Sequence, residues 1–214
     1  MTTTPINLPS DTHTYLALGD SYTIGEAVTA SQSFPYQLTA MLNKQGLITS
    51  VPTIIAQTGW TTGELKQAIQ TASLTSTYDI VTLLIGVNNQ YRGDSITTYR
   101  TEFKDLLQTA ITFAGGKPTH VFVISIPDWG ATPFGLQSGR GQQNISMAID
   151  AFNEVNNQEA LAAGVNYTNI TPESRDAATN LALVASDGLH PSDKMYQAWT
   201  GLLDPAVIDV FQLK

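Results

Sequence analysis

The chain has 214 residues, of which 42% are hydrophobic and only 13% charged, and 10 Lys and Arg stand against 18 Asp and Glu for a formal net charge of −8. That length and apolar content suit one continuous core, while the missing positive field argues against a nucleic-acid partner. With no Cys there are no thiol nucleophiles, thiolate metal sites or disulfides, so any nucleophile is oxygen or nitrogen.

Residues 1–12 read as an N-terminal arm. They lack a basic region followed by an apolar run, so no leader, anchor or membrane span is visible. The expectation is a soluble chain, cytoplasmic if this N-terminus is native and secreted or periplasmic if a leader was trimmed. A short apolar run at 15–18 predicts a first buried strand. Phe34, Leu38, Met41 and Leu42 then recur at helical spacing, with Pro35 in the first turn and Gly46 as a stop. A second strand is expected at 51–56, followed by a helix that opens on Thr61 and Glu64, spaced as a capping box ahead of Leu65 and Ile69. After a third strand at 80–85, Tyr99, Phe103, Leu106, Leu107 and Ala110 form an apolar stripe closed by Gly115 and Gly116. A fourth strand is placed at 121–126. Ile145, Ala148, Ile149, Phe152 and Val155 make the next stripe, closed by Gly164, before a fifth strand at 165–170. The last helix starts near Ser192 and carries Met195, Ala198, Trp199 and Leu202; Pro205 is expected to break it or to start a short terminal segment.

The alternation predicts an α/β fold, a three-layer α/β/α sandwich around a five-stranded parallel sheet, as a single domain over 1–214. Two irregular stretches, 127–143 and 171–191, exceed the usual connection of about 4–6 residues and draw attention as functional loops.

Ligands of open parallel sheets bind outside the carboxyl ends of the strands. Gly19-Asp20-Ser21, Thr58-Gly59-Trp60, Gly86-Val87-Asn88-Asn89 and the loop ending in Asp187-Gly188-Leu189-His190-Pro191 all fall at that edge. Acyl transfer needs a hydroxyl, a base, an orienting carboxylate and donors for the developing oxyanion. Ser21 supplies the hydroxyl. His190 is the one histidine suitably placed, since His13 lies at the end of the arm and His120 opens a strand at the opposite edge. Pro191 keeps Asp187 and His190 on a turn, where the carboxylate can reach the ring; Asp187 is preferred over the rival orienters Asp176 and Asp193. Gly59 N–H, the Asn88 amide and Ser21 N–H are the candidate oxyanion donors. Taken singly these features have plainer readings: Asp20 and Ser21 as a helix cap, Gly59 and Gly86 as turn glycines, Asn88 as an Asx turn. Trp60, Gln90, Tyr91, Arg92, Trp129 and Phe134 are candidate pocket residues, or simply cover for the sheet edge.

Taken together, Gly-Asp-Ser at 19–21, Gly59, Gly-x-Asn at 86–88 and Asp-x-x-His-Pro at 187–191 resemble the four motif blocks of SGNH/GDSL hydrolases, in order along nearly the whole chain. The resemblance implies a flavodoxin-like sandwich, no cofactor, and Ser21, Asp187 and His190 as triad with Ser21, Gly59 and Asn88 as oxyanion hole. One departure is Asn89, where the family often has Asp. The activity implied is hydrolysis of small carboxylic esters through an acyl-serine, with acetylated or short-acyl sugars, lysophospholipids and thioesters as candidate substrates. An acyltransferase using the same residues, or a non-catalytic carbohydrate- or phosphate-binding module on the same fold, are the alternatives. No G-x-x-x-x-G-K-S/T sequence favours a phosphate cradle, and no further ligands close to Asp187 and His190 favour a metal. The expected partner is a small-molecule ester; oligomeric state is left open.

Overall fold

A computed structural model of the chain describes residues 12–212. Apart from Thr12, the expected N-terminal arm lies outside the described residues. The elements run β1 (Tyr15–Gly19), α1 (Ser21–Ile24), α2 (Phe34–Lys44), β2 (Thr53–Ala56), α3 (Thr62–Ala72), β3 (Ile80–Leu84), α4 (Val87–Arg92), α5 (Ile96–Phe113), β4 (Val121–Ile124), α6 (Pro133–Gln137), α7 (Gln142–Ala162), β5 (Asn166–Thr168), α8 (Thr171–Arg175) and α9 (Asp193–Gln212), with short 3-10 turns between some of them.

All strand pairs are parallel, and the sheet order is β2-β1-β3-β4-β5. This is a flavodoxin-like doubly wound order, in which the chain leaves β1 for one edge and returns across it to β3. The switch point between β1 and β3 opens a crevice at their carboxyl ends. β1, β3 and β4 are buried along their whole length, as their unbroken apolar runs require of strands covered on both faces. The covering helices form two layers, α2 packed on α9, and α3, α5 and α7 side by side.

β2 begins at Thr53 rather than at residue 51. Pro52 has no N–H to give the ladder, and Val51 is left 70% exposed. The 171–191 stretch is also less irregular than expected, since it contains α8 and two 3-10 turns.

The expectation for Pro205 is corrected: α9 runs through it without a break. Leu203 and Val207 on either side are fully buried against the core. That packing outweighs the roughly 3 kcal/mol an interior proline costs a helix. The carbonyl that loses its donor belongs to Gly201, which is exposed, and water can satisfy it.

Candidate active site

β1 delivers Ser21. Asp20 ends the strand with its Oδ1 accepting from Tyr22 N–H at 3.0 Å, which caps α1 and starts the helix at Ser21. The capping reading of Gly19-Asp20-Ser21 therefore holds, and it is compatible with a reactive Ser21 because the cap is what fixes the turn. The Ser21 N–H, first in the helix, meets no protein acceptor among the described residues, and neither does the Ser21 hydroxyl.

Asp20 is completely buried, and its Oδ2 has no protein partner among the described residues. Burial pushes its carboxyl up to about 7, only partly offset by the Tyr22 N–H. Because the folded pKa lies above the unfolded one, the chain is most stable where Asp20 is protonated in both states and loses that contribution as pH rises through about 7. Asp20→Asn, which keeps a good cap, is expected to gain on wild type by on the order of 3 kcal/mol between pH 4 and pH 8 in denaturant titrations. A constant difference between the two over that range would refute the assignment.

The last long loop delivers His190. A β-bridge between Val184 and Pro191 closes it, and Ala185 N–H donates to His190 C=O at 2.8 Å. Asp187 Oδ1 accepts from Leu189 N–H at 2.9 Å and His190 N–H at 3.0 Å, and Oδ2 accepts from His190 Nδ1 at 2.5 Å. The three-residue spacing thus makes a tight turn in which one carboxylate holds both backbone and ring. Partial burial raises the Asp187 pKa, but the hydrogen bonds from the ring and from both amides reverse this and leave it below the ordinary carboxylate value. An ionised Asp187 makes Nδ1 the protonated nitrogen and leaves the Nε2 lone pair available. The ring is buried and edge-on to Tyr22 at 5.8 Å.

Ser21, Gly59, Asn88 and His190 line one cavity of about 150 Å³, with Tyr22, Val87, Tyr91, Trp129, Phe134 and Leu189 as apolar walls. Ser21 and His190 share no hydrogen bond in this arrangement. The other two histidines lie at the amino ends of the strands, packed edge-on against Phe211 at 4.8 Å.

Gly59 is the third residue of a turn closed by Trp60 N–H to Gln57 C=O at 3.3 Å, and its φ of +88° calls for glycine. Its N–H meets no protein acceptor among the described residues. Gly86 caps α4 at φ +127°, where a Cβ would sit 2.3 Å from Tyr99 Oη. Asn88 Nδ2 spends one hydrogen on Trp60 C=O at 2.9 Å and keeps a second. Asn89, the departure noted above, is buried and bonds both Thr62 N–H (3.0 Å) and Thr62 Oγ1 (2.8 Å), so it ties α4 to the start of α3.

Of the six candidate pocket residues, Tyr91, Trp129 and Phe134 line the cavity. Their rings form a chain of contacts at 5.4 and 6.0 Å. Gln90 stands behind and accepts from Trp129 Nε1 at 2.8 Å. Trp60 faces a separate groove between β2 and α3, and Arg92 reaches back to Gly59 C=O. Sequence reasoning missed Arg140, whose guanidinium lies 4.2 Å over the Tyr91 ring, and Asp128, buried beneath Trp129 and paired with Arg175 at 2.9 Å. Both sit in the 127–143 stretch, already marked by its length.

A profile of the GDSL-like lipase/acylhydrolase family matches residues 17–198. The chain belongs to that family. As a GDSL-like hydrolase it is an ester-hydrolysing enzyme. Among solved structures it is similar to the psychrotrophic esterase EstA from Pseudoalteromonas sp. inhibited by monoethylphosphonate, at 15% identity and TM-score 0.70 over 94% of this chain and 99% of that one. It is similar to Axe2, an acetylxylan esterase from Geobacillus stearothermophilus, at 16% identity and TM-score 0.67 over 94% and 95%. It is also similar to an extracellular lipase from Streptomyces rimosus, at 19% identity and TM-score 0.69 over 91% and 99%. At these identities the likeness speaks for the fold alone. No curated protein matches the GDSL-like hydrolase significantly by sequence. No helix among its described residues is long and apolar enough to cross a membrane.

Proposed function

We propose that this GDSL-like hydrolase cleaves small carboxylic esters through an acyl-Ser21 intermediate, with His190 as general base, Asp187 as its orienter, and Ser21 N–H, Gly59 N–H and Asn88 Nδ2 as oxyanion donors. One observation carries the reading: an imidazole whose Nδ1 is taken by a carboxylate lines the same small cavity as a hydroxyl and two backbone N–H groups that have no protein acceptor among the described residues.

In the proposed cycle Ser21 Oγ bonds the ester carbonyl carbon as His190 Nε2 takes its proton. The carbonyl oxygen becomes an anion held by the three donors. Collapse expels the alcohol, protonated by His190, and leaves the acyl group on Ser21. Water, deprotonated by the same nitrogen, then releases the acid. The cavity supports small esters, since about 150 Å³ is below the roughly 300–1,000 Å³ of drug-sized sites. The acetylxylan esterase among the similar structures adds acetylated sugars to the panel worth testing.

The test is a set of p-nitrophenyl esters graded from acetate to decanoate, with acetylated xylose alongside, and a phosphonate ester as covalent probe. The expected result is turnover that falls beyond short acyl groups and one phosphonyl group per chain, mapped by mass spectrometry to Ser21. Labelling elsewhere with full loss of activity would reject Ser21 as nucleophile. Asn88→Ala is expected to lower kcat about 100–1000-fold, as loss of one oxyanion donor does elsewhere; steady-state kinetics on p-nitrophenyl acetate checks it.

A further inference from the structure

The turn that presents Gly59 N–H is poorly closed by its own backbone, whose single hydrogen bond is 3.3 Å long, and glycine adds no side chain to restrict rotation about its bonds. The turn is held from outside instead. Thr58 Oγ1 donates to Glu26. Gly59 C=O accepts from Arg92 Nη2 at 2.6 Å, Trp60 C=O from Asn88 at 2.9 Å, and Thr62 N–H donates to Asn89 at 3.0 Å. Three of these four holds come from α4, and Arg92, its last residue, is the one that grips the glycine itself.

Arg92 is in turn oriented by Glu64, with Nη1 3.2 Å from Oε2. Glu64 also accepts from Thr61 N–H at 2.8 Å and Thr61 Oγ1 at 3.0 Å, closing the capping box of α3. One guanidinium therefore links the glycine carbonyl to the first turn of α3, a span its forked donors suit and a single ammonium does not. Arg92 does not line the cavity.

We infer that Arg92 is a positioning residue of the ester-hydrolysing site: by holding the Gly59 carbonyl it keeps the Gly59 N–H aimed at the developing oxyanion, and it does so without touching substrate. The inference rests on the proposed roles of Ser21 and Gly59. An oxyanion donor is effective to the extent that it is already in place when charge develops, and an arm left free to rotate has to be ordered during the reaction. The plainer role for Arg92, a surface ion pair, predicts something else. The Arg92 and Glu64 side chains are 48% and 42% exposed, and pairs that open contribute little to stability. Truncating Arg92 should thus leave the fold almost unchanged and appear in catalysis.

The experiment compares wild type, Arg92→Met and Arg92→Lys on p-nitrophenyl acetate, with melting temperature and the rate of inactivation by diethyl p-nitrophenyl phosphate, which builds charge in the same hole. Arg92→Met is expected to lower kcat about 5–50-fold with KM within about twofold, and to slow inactivation by a similar factor. Arg92→Lys, which keeps one donor for the Gly59 carbonyl, is expected to fall between the two and carries the test if the Met variant does not fold. A kcat within twofold of wild type, a loss confined to KM, or a Lys variant no better than Met overturns the inference. Run beside Ser21→Ala, the result separates two failures: an active Ser21→Ala fells the acyl-serine reading, whereas an inactive Ser21→Ala with a wild-type-like Arg92→Met fells only the role of Arg92.

Discussion

Replacing Ser21 with Ala is expected to lower kcat for p-nitrophenyl acetate by on the order of 10⁴–10⁶-fold, the loss seen when a nucleophile is removed from a triad that acts as a unit. The same change should leave the melting temperature within a few degrees of wild type. Ser21 Oγ has no hydrogen-bond partner among the described residues, so truncation orphans no buried group. The α1 cap is made by Asp20 and Tyr22 N–H and does not use the Ser21 side chain. Kinetics and circular dichroism on the purified variant check both halves. Retained turnover in a folded Ser21→Ala would remove the acyl-serine from the proposal.

Asp187→Asn is the second large effect, expected to lower kcat by on the order of 10³–10⁴-fold. An amide facing His190 Nδ1 donates where the carboxylate accepts, which drives the ring proton to Nε2 and blocks proton uptake from Ser21. Hydrogen bonds from the His190 ring and from the Leu189 and His190 amides outweigh partial burial and hold the Asp187 pKa below its ordinary value. Its folded pKa is thus depressed, so the stability it contributes is present above the unfolded value of about 3.9 and is lost as pH falls through the lower folded value. Wild-type activity should therefore not lose Asp187 ionisation anywhere above about pH 5, and a kcat–pH profile of wild type beside Asp187→Asn tests this. An Asn variant within tenfold of wild type across pH 6–9 would show that His190 is oriented without it.

Much of the fold was legible because burial and secondary structure leave local marks. The strands at 80–84 and 121–124 are nearly pure β-branched and aliphatic runs, and Thr61 with Glu64 announced the start of α3 to the residue. Pro205 was misjudged for a physical reason: its local cost is visible in sequence, whereas the burial of Leu203 and Val207 that offsets it depends on where α9 lands. The same limit applies to the site. Ser21, Asp187 and His190 could be named because strand ends and a three-residue spacing are sequence properties. The bracing residues were not readable in that way: Asn89 meets Thr62 from 27 positions away, and Arg92 meets Gly59 from 33.

The amino-acid sequence by itself determined the α/β alternation, the candidate nucleophile, base and carboxylate, and Gly59 as a candidate donor, since each follows from residue type and short spacing. Tertiary structure alone decided which loop aromatics wall the cavity, that Trp60 turns away from it, and that α4 holds the Gly59 turn. Those outcomes depend on side chains meeting across long stretches of chain, and a hydrogen bond between residues far apart in sequence leaves no periodicity behind to read.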